Sequence, residues 1–139
     1  MPVNFTNMNK NSWVVFLVRI GLGLVFFWFG LDKCQDPDTW QGWVPVFIHN
    51  RLPIPINLFL VGQGAVEVIL GLFLVLGFLT RFSSLICALI LAGIIFFSGF
   101  NEVMVRDFGL LAMAVSLFIS GPKRISLDRK FGLLGATDL

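Results

Sequence analysis

Four apolar stretches, each about as long as a bilayer is thick, decide what this chain can fold into. They are Trp13–Leu31, Ile56–Leu79, Phe82–Phe100 and Val103–Gly121. A helix needs ~20 residues to cross the hydrocarbon layer. Lipid offers the backbone no hydrogen-bond partners, so each stretch must satisfy its own N–H and C=O groups as a helix. Membrane-spanning strands need only about ten residues and alternate apolar with polar; these stretches do neither. Of the 139 residues, 57% are apolar and only 13% charged, with a mean hydropathy of +0.89. A soluble domain carries about 25% charge, and one this small has too little interior to hide so much apolar surface. The expected fold is all-α: one membrane domain over residues 1–139, built as an integral four-helix bundle whose solvent is lipid.

The joints agree with this reading. Thr80 and Arg81 predict a tight turn between the second and third spans, and Asn101 and Glu102 separate the third from the fourth. The polar segment before Trp13 has no basic n-region ahead of a small-residue cleavage site, so the first span reads as retained. Lys10, Arg81, Lys123, Arg124, Arg129 and Lys130 fall on one side of the membrane, against Lys33 and Arg51 on the other. The excess of basic residues places both termini in the cytoplasm of a cell bounded by an inner membrane, with the tail 122–139 inside. The outer loop 32–55 has a pattern of its own. Trp40, Trp43, Val44, Phe47 and Ile48 share one helical face behind an Asp36-Pro37-Asp38 start, which predicts an interfacial amphipathic helix over the outer mouth of the bundle, bent at Pro45.

Several chemistries are absent from the residue inventory. Two cysteines, Cys34 and Cys87, form no C-x-x-C pair, and one histidine, His49, cannot supply a bis-His haem site. No phosphate-cradling glycine loop occurs, and a net charge of +2 with scattered basic residues gives no nucleic-acid footprint. No metal site, covalently bound cofactor or nucleic-acid partner is expected. Cys34 reads as an outer-edge thiol, reactive only in an oxidising compartment, and Cys87 as a small packing residue. His49 reads as a headgroup-facing polar side chain, and the run Phe26–Phe29 as lipid-facing and packing surface.

The informative residues are the ionisable ones inside the spans: Arg19, Glu67, Arg106 and Asp107. A charge at mid-bilayer costs about 2.5–3.5 kcal/mol even on the lenient insertion scale, so such groups face the bundle interior and pair. With Leu31 and Ile56 set at the outer edge, Arg19 lies about 18 Å deep and Glu67 about 16 Å deep at the helical rise. That depth match predicts a central Arg19–Glu67 pair, with Gln63 one turn from Glu67 as an added hydrogen-bond partner. Arg106 and Asp107 sit only about 5 Å deep by the same rise, level with Asp32 and Lys33, which predicts a second, shallower cluster of those four. Arg19, Gly23 and Gly30 share one stripe, as do Gly64, Glu67 and Gly71; small residues beside a charge let helices approach closely. Three readings of the pair stay open: an ion pair that fixes helix register, a proton-linked or quinone-binding site, or a solute or ion pathway.

The order of these features resembles the DoxX family of small four-helix membrane proteins. The resemblance is carried by R-I-G-L-G and F-F-W-F-G-L-D-K between Arg19 and Lys33, and by G-x-x-E-V-I-L-G-L-x-L-x-L-G-x-x-T-R from Gly64 to Arg81. The Arg106–Asp107 pair and the S-L-D ending at Asp128 complete it. Arg19, Gly30, Lys33, Glu67, Gly77, Arg81, Arg106 and Asp107 are the matching positions. The resemblance implies a membrane subunit tied to a redox complex, as in a thiosulfate:quinone oxidoreductase or a complex linked to superoxide detoxification. The ligand to expect is a quinone or lipid. The partners to expect are the bilayer and other membrane subunits or further copies of the chain. With no extra domain to hold a flavin, haem or metal, the chain reads as a non-catalytic subunit rather than an enzyme alone; the alternatives are a purely structural accessory subunit and a small solute or proton carrier.

Overall fold

A computed structural model describes residues 10–123 and 126–131. Four long helices form the bundle: α1 (Lys10–Gln35), α4 (Ile56–Leu76), α5 (Thr80–Ser98) and α6 (Glu102–Ser120). All four are long and apolar enough to span a membrane. Between α1 and α4 lie two short helices, α2 (Pro37–Trp40) and α3 (Val46–His49), joined by a 3₁₀ turn at Gln41–Trp43; a last short helix, α7 (Leu127–Lys130), follows the bundle. The end carrying α2 and α3 is here the cap end, and the opposite end, where α4 turns into α5, the turn end.

Local chemistry sets the helix limits. α1 runs four residues past Leu31, and stops where Asp36 precedes Pro37 and is held at φ −137°, ψ 73°; a residue before proline is driven out of the helical region. The Asp36 carboxylate then caps α2, accepting from the Thr39 N–H at 3.4 Å and the Thr39 hydroxyl at 2.6 Å. The cap is a broken helix rather than one continuous amphipathic helix. Val44 is extended and Pro45, with no N–H to give, restarts the chain as α3. Gly77 ends α4 in the left-handed conformation at φ 71°. Leu79 follows at φ 46°, the only non-glycine with positive φ among the described residues, a conformation costing roughly 1–2 kcal/mol. Asn101 starts α6 by accepting from the Met104 N–H at 2.9 Å.

Polarity is inverted relative to a soluble domain. Leu17, Trp28, Phe96, Phe100, Val105 and Ile119 point outward, while Arg19, Lys33, Glu67, Thr80, Ser83, Ser84 and Asp107 are buried. The middle of the bundle is closed by Leu22, Phe26, Leu70, Leu74, Leu91 and Leu117, with the wholly buried Cys87 among them. Such an arrangement is stable only where the surroundings are apolar.

α1 packs on α4 and α5 on α6 as antiparallel pairs. The first contact is backbone on backbone. A Cβ on Gly71 would lie 2.6 Å from the Phe27 nitrogen and 2.7 Å from the Gly23 oxygen; one on Gly30 would lie 2.6 Å from the Gly64 oxygen. Gly23 therefore opposes Gly71, and Gly30 opposes Gly64. Dispersion and close approach, rather than hydrophobic burial, hold helices together in lipid. Gly71→Ala should destabilise the bundle by about 1–3 kcal/mol through overpacking, seen as a lower midpoint of thermal unfolding in detergent. Gly62→Ala on the same helix, whose added Cβ meets nothing within 4 Å, should leave the midpoint unchanged.

Candidate functional site: a charged cavity at the cap end

Lys33 and Glu67 meet inside the bundle. Lys33 Nζ donates to Glu67 Oε1 at 2.7 Å, with both side chains buried. Gln63 Nε2, one turn back on α4, donates to the same oxygen at 3.3 Å. The glycine contact makes this possible: the Lys33 Cβ lies where a Gly64 side chain would have to stand, 2.9 Å from that ideal Cβ. Gly64 gives the lysine stem its path along α4, and Glu67, three residues on, receives the ammonium. Gly30 and Lys33 repeat the same three-residue spacing on α1.

The expected Arg19–Glu67 pair is not formed. Depths reckoned from Leu31 and Ile56 put those two residues level, but the meshed glycines put Leu31 across from Gln63, seven residues further along α4, about two helical turns. That shift carries Arg19 to the turn end, where its guanidinium lies against Gly77, and brings Lys33 over Glu67 instead. The expected shallow cluster of Asp32, Lys33, Arg106 and Asp107 is likewise divided. Lys33 turns inward to Glu67. Asp32 is exposed and accepts from the Trp40 indole N–H at 2.8 Å. Arg106 and Asp107 pair with each other: Nε and a terminal guanidinium nitrogen both lie 2.9 Å from Asp107 Oδ1, with the carboxylate buried. Asp107 is nevertheless close enough to Glu67 for the two charges to interact.

These groups line a cavity of about 540 Å³. All four spanning helices contribute to it. Its walls include Phe26 and Phe29 of α1, Leu60 of α4, Ile94 of α5 and Leu110 of α6, with Lys33, Gln63, Glu67, Arg106 and Asp107 projecting among them. Phe26 and Phe29 are thus inward-facing, while Trp28 alone of that run is strongly exposed. The cap forms the roof through Trp40, Trp43, Val44 and Ile48. Lys33 Nζ sits 4.9 Å from the Trp40 ring centroid, and the Arg106 guanidinium 4.8 Å from that of Phe29; both cations gain from the ring quadrupoles. Gln41 joins the roof to α4, its side-chain amide donating to Asp38 at 2.8 Å and to the Asn57 side-chain oxygen. Phe47 packs on Phe97 of α5 at 5.4 Å. Cys34 stands beside the site, its Sγ 3.6 Å from the Val61 carbonyl, and the His49 ring meets the Gln41 carbonyl at 3.3 Å.

The DoxX family model matches residues 14–99, more than half of the chain. The chain belongs to the DoxX family. A relative from Mycobacterium tuberculosis (strain ATCC 25618 / H37Rv), described as uncharacterized membrane protein Rv3486, is 29% identical over 134 residues, covering 84% of this chain and 80% of that one. No solved structure matches.

A buried pair that loses one member leaves an uncompensated charge in a low-dielectric site, at a cost of about 3–5 kcal/mol. Lys33→Met and Glu67→Leu should each lower stability by about that amount, whereas the double variant should lose much less than the sum. Unfolding of the purified variants in a common detergent measures the coupling. Additive losses would mean that the two side chains do not share a pair.

Proposed function

We propose that the chain is a small membrane subunit that holds a neutral, lipophilic ligand of the quinone class at the cap end, within a redox assembly of the inner membrane. The observation that carries this reading is the cavity. Its volume of about 540 Å³ falls in the range of about 300–1,000 Å³ typical of small-molecule sites, which are mostly apolar with a few converging polar groups. The polar groups here are two cations, Lys33 and Arg106, two anions, Glu67 and Asp107, and the Gln63 amide. Their charges cancel, so the site favours a ligand without net charge. A quinone carbonyl would accept from Lys33, Arg106 or Gln63, and a quinol hydroxyl would donate to Glu67. An apolar tail would find the phenylalanine and leucine walls. The electrons would come from partner subunits, with the chain supplying binding, orientation and a carboxylate able to exchange a proton. The excess of basic residues near the turn end argues for both termini in the cytoplasm, which puts the cavity in the outer half of the membrane.

A second reading, a structural accessory subunit, is favoured by one observation. The Lys33–Glu67 pair is complete as it stands and could serve register alone.

Binding separates the two. A short-chain quinone titrated into the purified protein should quench tryptophan fluorescence saturably, because Trp40 and Trp43 form the cavity roof. Glu67→Gln should weaken binding by roughly tenfold, the worth of one charge-assisted hydrogen bond. Gly93→Leu fills a lining position at which an added Cβ meets nothing within 4 Å, and it should abolish the saturable component with the fold intact. Linear quenching unchanged by Gly93→Leu would leave only the structural reading. Redox partners purified together with the native chain would support the assembly.

A further inference from the structure

The turn end of the bundle holds a second set of buried polar groups, remote in sequence and unused by the cavity. Arg19 of α1 is 2% exposed, and its Nε has no hydrogen-bond partner. Its guanidinium lies against the turn at Gly77, where an added Cβ would come within 2.6 Å of a terminal nitrogen. Only a glycine leaves that nitrogen its place. Three residues on, α5 begins without a side-chain cap of its own, because Leu79 occupies the capping position. Asp128 of α7, from far along the chain, supplies the missing acceptors: its carboxylate takes the Leu79 N–H at 2.5 Å and the Thr80 N–H at 2.7 Å. The Asp128 N–H in turn donates to the Gly77 carbonyl at 3.0 Å. Asp128 is 1% exposed, and its charge interacts with that of Arg19. A buried cation and the positive end of a helix thus face one carboxylate, which is the chemistry of an anion site.

We propose that the turn end of the bundle is an anion-binding site which the chain fills with its own tail, Asp128 being the ligand, so that α7 is a releasable latch on the α4–α5 turn. The latch offsets two liabilities at once. It gives the buried Arg19 a counter-charge, and it pins a turn whose Leu79 is held in a left-handed conformation. Because α7 is hydrogen-bonded to the α4–α5 turn and its Asp128 charge acts on Arg19 of α1, seating or releasing α7 is expected to be felt at the turn end.

Amide hydrogen exchange and trypsin cleavage of the full chain in lipid nanodiscs test this. Asp128→Asn, a change outside the four spans, should speed exchange at Leu79 and Thr80 and cleavage after Lys130 about tenfold or more, as expected on loss of charge-assisted bonds. Arg19→Met touches none of those backbone bonds, and removing a charge from a span eases insertion. It should release α7 to a similar extent while leaving Glu67-side protection in α4 unchanged. Continued protection of Leu79 and Thr80 in Asp128→Asn would overturn the latch. Release in Asp128→Asn with full protection in Arg19→Met would reduce Asp128 to a helix cap and overturn the anion site. The readouts that decide the latch, at Leu79, Thr80 and Lys130, lie away from the cap-end cavity, so the quinone reading can fail without this one.

Discussion

The backbone contact between α1 and α4 is the constraint from which the rest follows. In lipid the apolar side chains have nothing to gain by hiding from their surroundings, so helices associate where they can come closest. Gly23 against Gly71 and Gly30 against Gly64 bring two backbones to within side-chain-excluding distance, and two such contacts fix one register. That register decides which charges meet. Had the pair slid by a turn, Lys33 would have lost its path over Gly64, and Glu67 would have been left in hydrocarbon without a cation. The glycines and the ion pair are therefore one device: the close approach creates a shielded strip between two helices, and the charges occupy it.

The fold was largely legible because the strongest signals are local. Span length, the Asp36–Pro37 start and the Asn101 start each act through a few neighbouring residues and stand where those residues demand, but the turn expected at Thr80 and Arg81 falls earlier, at Gly77–Leu79, because Gly77 takes the left-handed cap and Thr80 already begins α5. The face of Trp40, Trp43, Val44, Phe47 and Ile48 was expected over the outer mouth of the bundle, and all of these but Phe47 line the cavity there. The pattern could not show that Pro45 would divide the segment into two helices rather than bend one. Lys33, Gln63, Glu67, Arg106 and Asp107 all stood out in the sequence and all line the cavity, but their pairing was not legible. Depth counted from hydropathy edges carries an error of several residues, because α1 continues through Asp32, Lys33 and Cys34 while still helical. A better signal was present in the spacing. Gly23 and Gly30 are as far apart as Gly64 and Gly71, so two antiparallel helices can mesh both glycine pairs in one register only, and that register places Lys33 beside Glu67. The carboxylate whose charge acts on Arg19 was beyond reach for a different reason. It comes from a short tail helix that no hydropathy or span argument connects to α1.

The distribution of charge along the bundle also bears on what passes through it. Polar groups gather at two levels: Lys33, Gln63, Glu67, Arg106 and Asp107 toward the cap, and Arg19, Thr80 and Asp128 toward the turn. Between them Leu22, Leu70, Leu74 and Leu117 are packed almost without exposure. An ion crossing from one level to the other would have to leave its charged partners and enter a layer made mainly of leucine side chains, which is costly in a low-dielectric interior. On the proposed quinone reading, an interior built this way would keep the neutral ligand at the cap-end level, above the leucine layer.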